Sequence, residues 1–99
     1  MGDKRQPIEV ELGEKESEGI YSNLALIAHS PSEFIIDFAR ILPGRPKAKV
    51  YARVVMTPQH AKMLLTALEE NIKKYEGRFG EIKTPQMKEM KEKIGFVKE

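Results

Sequence analysis

The sequence predicts an α+β domain: a four-stranded antiparallel meander followed by one long amphipathic helix, with a short helix at the C-terminus. Three observations predict it. Four consecutive segments carry strand patterning and are joined by links too short for the crossovers that parallel neighbours need. A later segment repeats apolar residues at steps of three, four and seven, the period of an α-helix. Between the two regimes stands Thr57-Pro58, a helix-start signal. The chain's 99 residues and 11.3 kDa match one domain, so the expected organisation is a tail at 1–7, a β4-α domain at 8–82 and a helical tail at 83–99.

The elements follow in order. Ile8-Glu9-Val10-Glu11-Leu12 alternates apolar and acidic residues, the period of a strand with one wet face, and reads as an edge strand. Gly13 to Gly19 is polar and bracketed by glycines, an exposed loop. Ile20 to His29 is rich in apolar residues on both parities and ends at Ser30-Pro31-Ser32, a turn. Glu33 to Leu42 pairs with it as a hairpin and is stopped by Pro43-Gly44-Arg45-Pro46. In Lys47 to Met56 the parities separate: Ala48, Val50, Ala52 and Val54 on one face, Lys47, Lys49, Tyr51 and Arg53 on the other. After Thr57-Pro58, the residues Ala61, Leu64, Leu65, Leu68, Ile72, Tyr75 and Phe79 fall on one side of a helix that ends at Gly77 or Gly80. Thr84-Pro85-Gln86 repeats the start signal, and Met87, Met90 and Ile94 suggest the short second helix.

Composition removes several classes of chemistry. The absence of cysteine excludes disulfides, thiolate metal sites and cysteine nucleophiles. No apolar run approaches the roughly 20 residues that cross a bilayer, and the N-terminus lacks the apolar region of a secretory signal, so a cytoplasmic protein without membrane contact is expected. The net charge of +2 conceals a segregation. Residues 1–37 hold three bases against eight acids, residues 38–68 hold six bases and no acid, and residues 69–99 are nearly balanced. The basic block consists of Arg40, Arg45, Lys47, Lys49, Arg53 and Lys62. It either faces an anionic partner or is neutralised by acids such as Glu9, Glu11 and Asp37.

Alternation puts Lys47, Lys49, Tyr51 and Arg53 on one sheet face, where basic side chains can follow phosphates and an aromatic ring can stack a base. With Arg45 and Lys62 they form the expected nucleic-acid-binding set. One helix shields only one side of the sheet, yet Ile35, Ala39 and Ile41 oppose Phe34, Ile36 and Phe38, so a second copy is expected over Ile35, Ala39 and Ile41 in a homodimer. His29-Ser30-Pro31-Ser32-Glu33 crowds a histidine, hydroxyls and a carboxylate, but serine and proline are turn formers, and a triad draws its members from distant segments. His60 follows the helix start, and a metal site would require His29 and His60 to meet a carboxylate such as Glu33 or Asp37. No enzyme, cofactor or metal is expected from this inventory.

Asn23-Leu24-Ala25-Leu26, His29-Ser30-Pro31-Ser32-Glu33-Phe34, Asp37-Phe38, Leu42-Pro43-Gly44, Thr57-Pro58-Gln59-His60-Ala61-Lys62, Asn71-Ile72, Tyr75-Glu76 and Phe79-Gly80 occur in that order. Together they resemble, over about residues 8–82, the small bacterial and archaeal domain-of-unknown-function family DUF3467, which carries no activity to transfer. The order of four strands and a helix is also similar to one unit of the PUR and Whirly single-stranded nucleic-acid binders, by topology alone. Two functions are therefore expected in competition: a dimeric module for single-stranded or structured nucleic acid, and a homodimeric adaptor that binds protein through its sheet face and C-terminal helix.

Overall fold

The computed structural model of the chain describes residues 7–85. Its elements are a 3-10 turn at Glu16–Glu18, strands β1 (Leu24–His29), β2 (Phe34–Arg40) and β3 (Lys49–Met56), and helix α1 (Pro58–Phe79). The chain divides into two compact units between Pro58 and Gln59, the sheet in the first and nearly all of the helix in the second.

The sheet is antiparallel in the order β1-β2-β3, with β2 at its centre. Three strands replace the four expected. Ile8–Leu12 is extended in pattern but belongs to no ladder, and Ile8, Val10 and Leu12 are 89%, 89% and 70% exposed. Alternation states which side chains can share a face; a strand also needs an edge to pair with, and residues 8–12 have none among the described residues. With three strands, the likeness of order to PUR and Whirly units also lapses. The short C-terminal helix expected over 87–94 lies outside the described residues, and Glu81 to Pro85 has no helical structure.

Local chemistry explains the strand limits. The β1–β2 turn is closed by Ser30, whose N–H donates to the Glu33 carbonyl at 2.9 Å and whose Oγ accepts from the N–H groups of Ser32 and Glu33 at 3.2 Å. At the other end the Asn23 side chain continues the ladder: its Nδ2 donates to the Ile41 carbonyl and its Oδ1 accepts from the Ile41 N–H. Ser22 Oγ adds a bond to the Ala39 carbonyl at 2.9 Å. The β2–β3 connection begins with a tight turn in which the Arg45 N–H donates to the Leu42 carbonyl at 3.1 Å. Pro43 occupies its first corner and Gly44, at φ 78°, its second, as a type II turn requires.

Pro58 opens α1 at a position where its missing N–H costs nothing. Of the two candidate stops, Gly77 is helical and Gly80 ends the helix: at φ 101° its N–H donates to the Glu76 carbonyl at 2.9 Å. The Glu76 carboxylate then accepts from the Ile82 N–H, and Arg78 in the last turn complements the helix dipole. Tyr75 and Phe79, one turn apart on the apolar stripe, bring their rings within 5.0 Å. No helix among the described residues is long and apolar enough to cross a membrane.

Among the described residues only Ile36 and Ala39, at 6% and 0% exposure, are buried apolar side chains, both on the central strand. Ile36→Ala is expected to destabilise the chain by about 2–5 kcal/mol in denaturant unfolding, as large-to-small changes at buried sites do. Gly80→Ala, which forces a Cβ into a left-handed backbone, is expected to lower the helical melting transition with a cost of about 1–2 kcal/mol.

Candidate nucleic-acid interface

The register of β2 and β3 decides which cations act together. Ile36 pairs with Val54, Asp37 with Arg53 and Phe38 with Ala52; the next pairs are Ala39 with Val50 and Arg40 with Lys49. One step of β2 therefore opposes two of β3, a β-bulge whose extra residue is Tyr51. Paired residues share a face and alternate along an unbulged strand, so Asp37 with Arg53 lies on one face and Arg40 with Lys49 on the other. The expected single face of Lys47, Lys49, Tyr51 and Arg53 is thus corrected: the bulge shifts the phase of β3 between Arg53 and Lys49, and Lys47 precedes the strand altogether.

On the face carrying Ile36, Tyr51 becomes the centre of a cation–aromatic cluster. The Arg40 guanidinium sits over its ring at 4.1 Å from the centroid, and the Lys49 ammonium at 5.2 Å. Arg40 also lies 6.0 Å from the Tyr21 ring and donates through Nε to the Tyr21 carbonyl at 3.2 Å. Both distances to Tyr51 are within the range in which a ring quadrupole attracts a cation. Arg40 is thereby held in place, half-buried, while Tyr21, Tyr51 and Lys49 remain exposed. Arg45 and Lys47, also exposed, stand in the adjoining connection.

On the opposite face Arg53 is committed to Asp37. Its Nε donates to Asp37 Oδ1 at 2.7 Å and its Nη2 to Oδ2 at 2.9 Å, a two-pronged pair in which the Arg53 side chain is 63% exposed and that of Asp37 15%. The hydrogen bonds from Arg53 hold the Asp37 carboxyl below the usual aspartate range, and the same bonds raise Arg53. Internal neutralisation, one of the two readings of the basic block, is realised at Arg53. Lys62 lies on α1, in the other unit, where its carbonyl accepts from Thr66 Oγ1.

The remaining expected residues fall as follows. Ile35 is half-buried on the Asp37 face, Ala39 is wholly buried in its own chain, and Ile41 is exposed just beyond β2. The His29 ring stacks on Phe34 at 5.4 Å, and Ser30 is occupied by the turn. Among the described residues no group of three or more His, Asp or Glu side chains is placed to hold a metal ion. Tyr21 and Arg40 were outside the expected set. Arg40 had a signal, since it ends the apolar parity of Phe34, Ile36 and Phe38 with a cation; Tyr21 had none, because only the Ser22 and Asn23 anchors bring it to the end of β2.

A family model described as a protein of unknown function (DUF3467) matches residues 1–84. That range takes in the whole segment over which the ordered motifs occur. No curated protein and no solved structure matches the chain.

Because Asp37 titrates lower in the folded chain than in the unfolded one, its pairing with Arg53 contributes stability above the ordinary aspartate range, and this contribution is lost as pH falls through the depressed folded value. A carboxyl-detected NMR titration should therefore find Asp37 protonating later, on acidification, than an unpaired aspartate. In Arg53→Gln the Asp37 midpoint should move up toward the ordinary range; an unmoved midpoint would assign the shift to something other than Arg53.

Proposed function

Since the chain belongs to the DUF3467 family, whose description assigns no activity, its role has to be read from its own surface, and we propose that it is a homo-oligomeric binding protein for single-stranded nucleic acid. The observation that carries this reading is the stacking of Arg40 and Lys49 on Tyr51, beside Tyr21. Two cations held against exposed phenol rings offer phosphates a charge partner and offer an unpaired base a surface on which to stack. Arg45 and Lys47 extend the positive strip along the connection, and Lys49 lies at its end. Arg53 takes no part, being bound to Asp37 on the other face. The reading requires no catalytic step, cofactor or metal.

Self-association is supported by the apolar surface on both faces of the sheet. Ile27 and Val54 are exposed on the face of Ile36, and Val50 and Val55 on the face of Asp37. Such surface in a small chain favours association with a copy of itself. The second reading, a protein-binding adaptor, is favoured by the exposed stripe of Leu65, Leu68 and Phe79 on α1. One titration separates the two.

Fluorescence anisotropy with a labelled mixed-sequence single-stranded oligonucleotide should show binding that weakens steeply with salt. Lys49→Gln should reduce the slope of log affinity against log salt by about one unit, while Tyr51→Ala should weaken binding by about 1–3 kcal/mol with little change in slope. Arg53→Gln should leave both nearly unaltered. Absence of binding by the unsubstituted protein would transfer the function to the adaptor reading.

A further inference from the structure

Ile8–Leu12 has the chemistry of a strand and no ladder to join. Its apolar residues Ile8, Val10 and Leu12 stand exposed, Glu9 and Glu11 alternate with them, and no backbone hydrogen bond of residues 8–12 occurs among the described residues. Among the described residues the sheet has two open edges, β1 and β3. An open edge is a template for a further strand, and the pattern of that strand decides which edge it suits.

The two edges differ in charge. β1 reads Leu-Ala-Leu-Ile-Ala-His and carries no Lys or Arg, whereas β3 carries Arg53 within the regular run Ala52 to Met56 that follows the bulge. That run has the same length as Ile8–Leu12. Laid antiparallel with Val10 opposite Val54, the segment puts Ile8 opposite Met56 and Leu12 opposite Ala52, so its apolar residues extend the face of Ile36. Glu11 then falls opposite Arg53, and Glu9 opposite Val55, on the face of Asp37. Arg53 spends Nε and Nη2 on Asp37, and its guanidinium has further N–H donors for a second carboxylate. A slip of one residue would carry both acids onto the apolar face, so pattern and charge choose the same register.

We propose that Ile8–Leu12 of one chain adds as a fourth strand to β3 of a second copy, and that the exchange is mutual, closing a two-fold dimer. In its own chain the segment pairs with neither edge, and the β3 edge of another copy presents the matching length, alternation and cation. The proposal rests on the self-association in the reading above and leaves its nucleic-acid cluster untouched, because Lys49 and Tyr51 lie at and before the bulge, outside the paired run.

The test uses the full chain, which has no native cysteine. Val10→Cys with Val54→Cys in one chain, mildly oxidised at low concentration, should run as a covalent dimer on a non-reducing denaturing gel, and neither single variant should do so alone. Directly opposed strand residues lie within the Cα separation that a disulfide tolerates. A disulfide closed within one chain, free thiols, or equal cross-linking by a single variant would each overturn the exchange. Glu9→Pro, at a position exposed in its own chain, removes the ladder donor that faces β3 opposite Val55 while keeping Glu11, and should weaken dimerisation at least about tenfold by light scattering or sedimentation. Dimerisation unchanged in Glu9→Pro would overturn the exchange while leaving self-association standing; a monomeric unsubstituted chain would overturn both, and oligonucleotide anisotropy reports separately on the cluster.

Discussion

Tyr51, the extra residue opposite the step from Phe38 to Ala39, divides the cations of β3 between two faces. Without it, strict alternation would set Lys49, Tyr51 and Arg53 side by side. With it, Lys49 comes opposite Arg40 and both cations share the Tyr51 ring, while Arg53 comes opposite Asp37 and forms a two-pronged ion pair. The same insertion ends the regular part of the strand, so that Ala52 to Met56 is the stretch on which a further strand of even pleat could lie. Bulges commonly re-aim side chains near functional sites. Here the bulge separates a free positive cluster from a neutralised one.

The second constraint is the shortage of interior. β2 is the central strand and supplies the two buried apolar residues among the described residues, Ile36 and Ala39, while Ile27 on β1 and Val50, Val54 and Val55 on β3 are exposed. Apolar surface left exposed costs free energy roughly in proportion to its area. A sheet with so few buried side chains gains from any partner that covers it. The unpaired segment Ile8–Leu12, the open β3 edge and the exposed valines are three expressions of that shortage, and in the reading proposed above mutual strand addition meets all three at once.

Much of the fold was legible because its signals are local. Pro43-Gly44 demanded a type II turn, Ser30-Pro31-Ser32 a hairpin, and the three-and-four spacing from Ala61 to Phe79 a helix opened by Thr57-Pro58; the strands and α1 lie where these signals put them. Failures occurred where the answer depended on pairing. Ile8–Leu12 alternates as cleanly as any strand in the chain, but alternation does not reveal whether an edge is available in the same chain. Arg53 and Lys49 share a parity in the sequence and not a face in the sheet, because a bulge leaves no local mark beyond the residues around it. The contact between Asp37 and Arg53 was anticipated only as one of two fates for the basic block, and choosing between them took the register of β2 against β3. Tyr21 joins Arg40 through the side chains of neighbouring residues, a connection that no periodicity encodes.

The central claim is that the bulge confines anion recognition to one face of the sheet. It is tested most directly by an amide and arginine side-chain NMR footprint of the unsubstituted protein titrated with a single-stranded oligonucleotide at low salt. Shifts concentrated at Tyr21, Arg40, Lys49 and Tyr51, with the Arg53 Nε–H signal unmoved, are the result the account predicts. Shifts centred on Arg53 and Val55, or spread evenly over both faces, would contradict it.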